Sequence, residues 1–154
     1  MKELHNFISQ VKPVKDILCT LGGIVGSAIT CLFGGWSEGM TTLIILMIID
    51  VFTGMAVAAV FKKSTKTDGG GLKSSVGFQG LIKKFVEILI VAGMYRIDLF
   101  LNIDYLMDLS IIGFVLNEII SITENAGLMG IPLPAAVTNA IELLNVKAKP
   151  ESEK

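Results

Sequence analysis

Long apolar runs alternate along this chain with short polar ones in which lysine dominates. From Ile17 to Ser37 no charged residue interrupts ILCTLGGIVGSAITCLFGGWS, and about 20 apolar residues suffice to cross a hydrocarbon core of about 30 Å. This run predicts a first membrane-spanning helix. It exceeds the apolar region of a cleaved signal peptide, and the preceding Met1 to Asp16 carries two acidic residues, Glu3 and Asp16, so retention in the mature protein is expected. Gly39 to Phe61 predicts a second span, broken only by Asp50 near its middle. The connection Gly34 to Gly39 is too short for anything but an antiparallel hairpin, and Trp36 suits the membrane boundary.

Two further spans are more polar. Leu81 to Leu101 holds Glu87, Arg96 and Asp98 around an apolar centre, Ile88 to Tyr95, and Leu109 to Ile122 holds Asn117 and Glu118. At 100° per residue, Gly80, Lys84, Glu87, Tyr95, Asp98 and Asn102 share one stripe of the third helix. On the fourth, Ser110, Gly113, Asn117, Ser121 and Glu124 share another, with Glu118 on its flank. After Gly127 the turn-rich GLMGIPLP contains Pro132 and Pro134, which discourage helix continuation. Leu133, Val137, Ala140, Ile141 and Leu144 then recur at helical spacing. The expected architecture is an all-α integral membrane protein with four transmembrane helices and a short C-terminal amphipathic helix. Residues 1–16 form a cytoplasmic N-terminal segment, 17–126 the membrane domain with a basic loop at 62–80, and 127–154 a cytoplasmic tail with a polar end.

Composition agrees with a membrane: 52% of the 154 residues are hydrophobic and 18% charged, against about 45–50% and about 25% in soluble domains. The net charge of -1 hides a segregated distribution. Lysines 2, 12 and 15, the connector lysines 62, 63, 66, 73, 83 and 84, and the tail lysines 147, 149 and 154 fall on one side of a four-span arrangement. The other side has Arg96 with Glu38, Asp98, Asp104 and Asp108. The positive-inside rule then predicts cytoplasmic termini and a cytoplasmic connector. The connector also reads as a contact for anionic lipid; it lacks the interleaved aromatics of a nucleic-acid surface, and no nucleic-acid partner is expected.

Candidate chemistry is confined to the spans. A carboxylate at mid-helix costs about 2.5–3.5 kcal/mol on insertion-derived scales unless it faces protein or water, so Asp50 either lines an aqueous path or makes an interhelical hydrogen bond. Thr53 and Gly54, one turn on, add a hydroxyl and a gap for close backbone approach. Glu87, Asp98, Asn117, Glu118 and Ser121 are the other intramembrane polar candidates for lining or assembly. Gly22 with Gly26, Gly23 with Ser27 and Gly54 with Ala58 make small-residue ridges suited to helix packing. Cys19 and Cys31 lie on one helix about 18 Å apart, beyond disulfide reach. The lone His5 cannot found a His-rich metal site, and GGGLKSS lacks the spacing of a phosphate loop. No nucleophile, acid–base pair or cofactor motif stands out, so an enzyme, a metal and a cofactor are not expected.

Asp50-Val51-Phe52-Thr53-Gly54, then Ser75-Val76-Gly77-Phe78-Gln79-Gly80-Leu81-Ile82-Lys83-Lys84, then Asn117-Glu118-Ile119-Ile120-Ser121-Ile122-Thr123-Glu124-Asn125-Ala126-Gly127 running into Gly130-Ile131-Pro132-Leu133-Pro134 resemble, in order and spacing, the toxin secretion/phage lysis holin family. The resemblance covers roughly Leu43 to Leu144; the first span matches less closely, and Thr65 to Leu72 departs as an inserted loop. It implies a protein that accumulates in the bacterial cytoplasmic membrane, forms a homo-oligomer and opens a lesion for endolysin or a toxin. The residues alone leave two other classes open: a small proton- or ion-coupled transporter using Asp50, Glu87 and Glu118, and a non-conducting membrane scaffold.

Overall fold

The computed structural model describes residues 2–67, 69–135 and 137–139, with side chains from residue 16 onward. The described residues are helical, without strands: α1 (Lys2–Phe33), α2 (Glu38–Ala56), α3 (Ser74–Leu101) and α4 (Leu106–Met129). A π-helical turn, Val57–Phe61, prolongs α2. The helix expected from Ile17 therefore begins at Lys2, and α3 begins at Ser74, inside the stretch expected to be a loop. Of the expected tail helix, Ala140, Ile141 and Leu144 lie outside the described residues; ahead of them Val137 and Thr138 donate to the Pro134 carbonyl, the opening of a helical turn.

Each break between helices has a local cause. After α1, Gly34 (φ +72°) adopts the left-handed region, and the ring of Tyr95 lies 2.7 Å from where a Cβ would stand. Only glycine fits there. Ser37 caps α2 by accepting a hydrogen bond from the Met40 amide at 3.2 Å, and the Trp36 indole donates to Thr41 at 2.7 Å, fixing the hairpin end. Lys62 (φ 52°) ends the π-helical turn, Asn102 (φ 55°) ends α3 and Gly130 (φ +80°) ends α4, all in left-handed conformation.

α2, α3 and α4 form the bundle, while α1 rests on α3. Opposed pairs give the directions. Gly39 meets Ile111, Asp50 meets Ser121 and Thr53 meets Asn125, so α2 and α4 run parallel. Lys84 meets Glu118 and Asp98 meets Met107, so α3 runs antiparallel to both. Near the start of α2 the bundle is apolar: Met40, Leu43, Met47, Val91 and Ile111 form its core, with Leu43 and Val91 at 0% exposure. The outside is apolar as well. Ile45, Ile48, Phe52, Leu89 and Phe100 all stand exposed, a distribution that suits lipid rather than water.

Asp16–Phe33, Glu38–Phe61 and Leu106–Met129 are long and apolar enough to cross a membrane. α3 has 28 residues, about 42 Å at 1.5 Å per residue, but its charged groups keep it outside that set.

Candidate functional site

At the connector end of the bundle the interface changes from apolar to ionic. Asp50 comes from the middle of α2, Lys84 from the third turn of α3 and Glu118 from the middle of α4. The Lys84 ammonium lies 2.9 Å from Asp50 Oδ2 and 2.5 Å from Glu118 Oε2. Asp50 Oδ1 accepts from the Ser121 hydroxyl at 2.6 Å and from Asn125 Nδ2 at 3.1 Å. Asn125 Nδ2 also donates to Thr53 Oγ1 at 3.1 Å, while the Thr53 hydroxyl donates back to the Asp50 carbonyl at 3.1 Å. Three helices are thus joined through one ammonium and one carboxylate.

The spacing explains how this is possible. Glu118, Ser121 and Asn125 stand at i, i+3 and i+7, one face of α4, and Asp50, Thr53 and Gly54 present the matching face of α2. Gly54 lets the backbones approach: a Cβ there would stand 3.7 Å from the Asn125 amide nitrogen. Ala58 is buried in the π-helical turn packed on α4. Glu118 is 2% exposed, whereas the Asp50 and Lys84 side chains are 13% and 14% exposed. A second acid, Glu87, follows Lys84 by one turn, interacts with Glu118 and Lys84, and keeps its Oε2 buried without a hydrogen-bond partner.

The remaining polar candidates are dispersed. Asp98 is 4% exposed and faces no lumen within the chain: its two oxygens accept from the Leu106 and Met107 amides at 3.0 and 2.8 Å. It caps α4 from a neighbouring helix, where Tyr105 at the cap position makes no side-chain cap hydrogen bond. Tyr95 covers Gly34, and Asn102 is the exposed left-handed end of α3. Along the expected stripe of α4, Ser121 turns inward to Asp50, while Gly113, Asn117 and Glu124 stay exposed. Gly22 and Gly26 have nothing within 4 Å of an added Cβ, so their ridge packs against no other part of the described chain.

Lys84, counted with the connector lysines and placed on the stripe of the third helix, is the central cation of the bundle, since two carboxylates from neighbouring helices draw it inward. Its place on the same stripe as Glu87 was the available sign. Asn125 was missed as a site residue, although its i+7 spacing from Glu118 and i+4 spacing from Ser121 put it on their face.

The profile of the bacteriophage holin family matches residues 27–146. The chain belongs to the bacteriophage holin family. The matched region takes in every residue of the ion-pair cluster and leaves out α1 up to Gly26. Among individual relatives, a protein of Bacillus phage phi105 described as "Probable holin" is 26% identical over 113 residues, covering 73% of this chain and 78% of the relative. An uncharacterised protein of Halalkalibacterium halodurans is 32% identical, covering 79% of this chain and 88% of its own length. An uncharacterised 14.9 kDa protein of Clostridium perfringens is 30% identical, covering 81% and 92%. No solved structure matches the chain. The holin family is not a family of enzymes, and its membership together with the apolar helices makes this a membrane protein.

Proposed function

We propose that this protein acts as a holin, assembling as a homo-oligomer in the bacterial cytoplasmic membrane and opening a lesion through which endolysin or a toxin leaves the cytoplasm. The observation that carries the reading is the Asp50–Lys84–Glu118 cluster in a chain of the holin family. A span that bears a charge is tolerable when the charge is paired inside protein. Lys84 is paired and Asp98 is held by two amides, which supports α3 as a fourth span despite its polarity. Four spans keep both termini and the lysine-rich connector in the cytoplasm.

In this reading the single chain is the closed form, with the polar faces of α2, α3 and α4 turned on one another. Assembly would turn part of that polarity toward water shared between subunits, and the exposed Asn117, half-way along α4, gives a second copy a polar group to meet. The test is release from liposomes loaded with cargo of graded size. Escape of a folded protein of endolysin size is the expected result, and retention of every protein-sized cargo would overturn the reading. Cysteine placed at Gly71 should label only from the cytoplasmic side.

One observation favours the second reading, a proton- or ion-coupled transporter: Glu87 adds a third carboxyl, with an unpartnered oxygen, beside the cluster. Solute uptake driven by a pH gradient, without protein release, would select it.

A further inference from the structure

Between the connector and the bundle lies a cavity of about 120 Å³ that the ion-pair cluster only borders. Its roof is Ser64 to Thr67 and Gly71 to Lys73, and its walls come from the π-helical turn, the first turns of α3 and the end of α4. The space exists because small residues line it. Gly77 and Gly80 of α3 face it, and an added Cβ at either position would meet nothing within 4 Å.

The roof is a folded loop. The Ser64 amide donates to the Gly70 carbonyl and the Gly70 amide to the Thr67 carbonyl, both at 3.0 Å. The Thr67 hydroxyl donates to the Gly71 carbonyl at 2.9 Å. Gly70 is left-handed (φ +68°), and a Cβ there would collide with the Lys62 carbonyl at 2.1 Å.

Two features indicate what fits. The lining includes Lys66 and Lys73, both exposed and neither held in an ion pair among the described residues, with the hydroxyl residues Ser64, Thr65 and Thr67 beside them. The fixed carboxylate at the floor, Asp50, is already paired with Lys84, so among the described lining residues Lys66 and Lys73 are the charges left over. The chamber also meets an apolar groove of about 370 Å³ between α2 and α3, the two share Val51, Leu81 and Lys84, and Ile44, Ile48, Phe52 and Ile88 line the groove further on. Around the mouth, Phe61, Leu72 and Phe78 stand exposed among the connector lysines.

A polar, cationic chamber opening into an apolar groove has the shape of an anionic head on a hydrocarbon chain. We propose that this is a binding site for an acidic phospholipid of the connector-side leaflet, its phosphate held by Lys66, Lys73 and the Ser64 and Thr65 hydroxyls and one acyl chain lying in the α2–α3 groove. Free phosphate shares the head chemistry, but it has no use for the groove. The site differs from a diffuse polybasic attraction, in which every lysine near the membrane counts alike.

The experiment is native mass spectrometry of the full chain in detergent with phosphatidylglycerol or phosphatidylcholine, repeated with excess glycerol 3-phosphate. Phosphatidylglycerol should be retained at least severalfold over phosphatidylcholine and should survive glycerol 3-phosphate. The double variant K66Q/K73Q should lose that preference, and Gly77→Leu, which fills the chamber without changing charge, should lose it too. K62Q/K63Q, which removes the same charge from outside the lining, should keep it. Equal retention of both lipids, displacement by glycerol 3-phosphate, or equal loss in K62Q/K63Q would each overturn the proposal. Lipid retention is read independently of cargo release, so the site and the lytic function can fail separately.

Discussion

The interface between α2, α3 and α4 has two halves that differ in what they do. In the half near the start of α2, Met40, Leu43, Met47, Val91 and Ile111 form a buried apolar core with no polar member. In the half near the connector, Asp50, Thr53, Lys84, Glu118, Ser121 and Asn125 satisfy one another through ion pairs and hydrogen bonds. In water the first half would dominate stability. In a bilayer, lipid tails are as apolar as leucine, so burying leucine against leucine has little transfer free energy behind it and contributes mainly packing. The second half cannot be exchanged for lipid without leaving charges unpaired. The apolar half therefore fills space, and the ionic half selects which helices meet and in what register.

The ionic half is most vulnerable at Lys84. Lys84→Met leaves Asp50 and Glu118 buried without their cation, and breaking a buried pair in this way costs about 3–5 kcal/mol. We expect the bundle to lose its folded state at markedly lower SDS in a mixed-micelle titration followed by circular dichroism. Replacing all three charges together, K84M/D50N/E118Q, should recover most of that loss. If the triple variant were as unstable as Lys84→Met, the cost would lie in packing and not in charge.

Leu43→Ala tests the apolar half. Because lipid receives the leucine of the separated helix as well as protein does, the same titration should show a loss below about 2 kcal/mol, under the range of about 2–5 kcal/mol seen in soluble cores. A loss larger than that of Lys84→Met would mean that the apolar half carries more of the fold than the ionic one.

The smallest expected effect is that of Ser121→Ala. It removes one hydrogen bond to Asp50 but leaves Lys84 and Asn125 in place, and interhelical hydrogen bonds in membranes average about 0.6 kcal/mol. A stability change within about 1 kcal/mol is expected, and a larger one would make the hydroxyl an essential member of the network.

Much of this was legible in the chain. Continuous apolar runs determine where helices can cross a bilayer, because the backbone must satisfy itself there and a carboxylate in such a run demands a partner. Asp50, Thr53, Glu118 and Ser121 could therefore be singled out from position alone, as could the hairpin at Trp36; α4, expected over Leu109 to Ile122 with a turn-rich boundary from Gly127, instead spans Leu106–Met129. The helix ends were less legible: α1 begins at Lys2 and α3 at Ser74, since polar residues at a membrane boundary are as compatible with helix as with loop. Partnership was decided only by the tertiary structure. A helical stripe shows which residues share a face but not what that face meets, so Lys84 could be read as a connector lysine, Asp98 as a lining residue and Asn117 as the companion of Ser121. Rotation of α4 turns Ser121 and Asn125 inward and leaves Asn117 outside, and Asp98 caps a helix that has no side-chain cap of its own. Those outcomes depend on how three helices rotate together to pair one ammonium with two carboxylates, and no single helix contains that information.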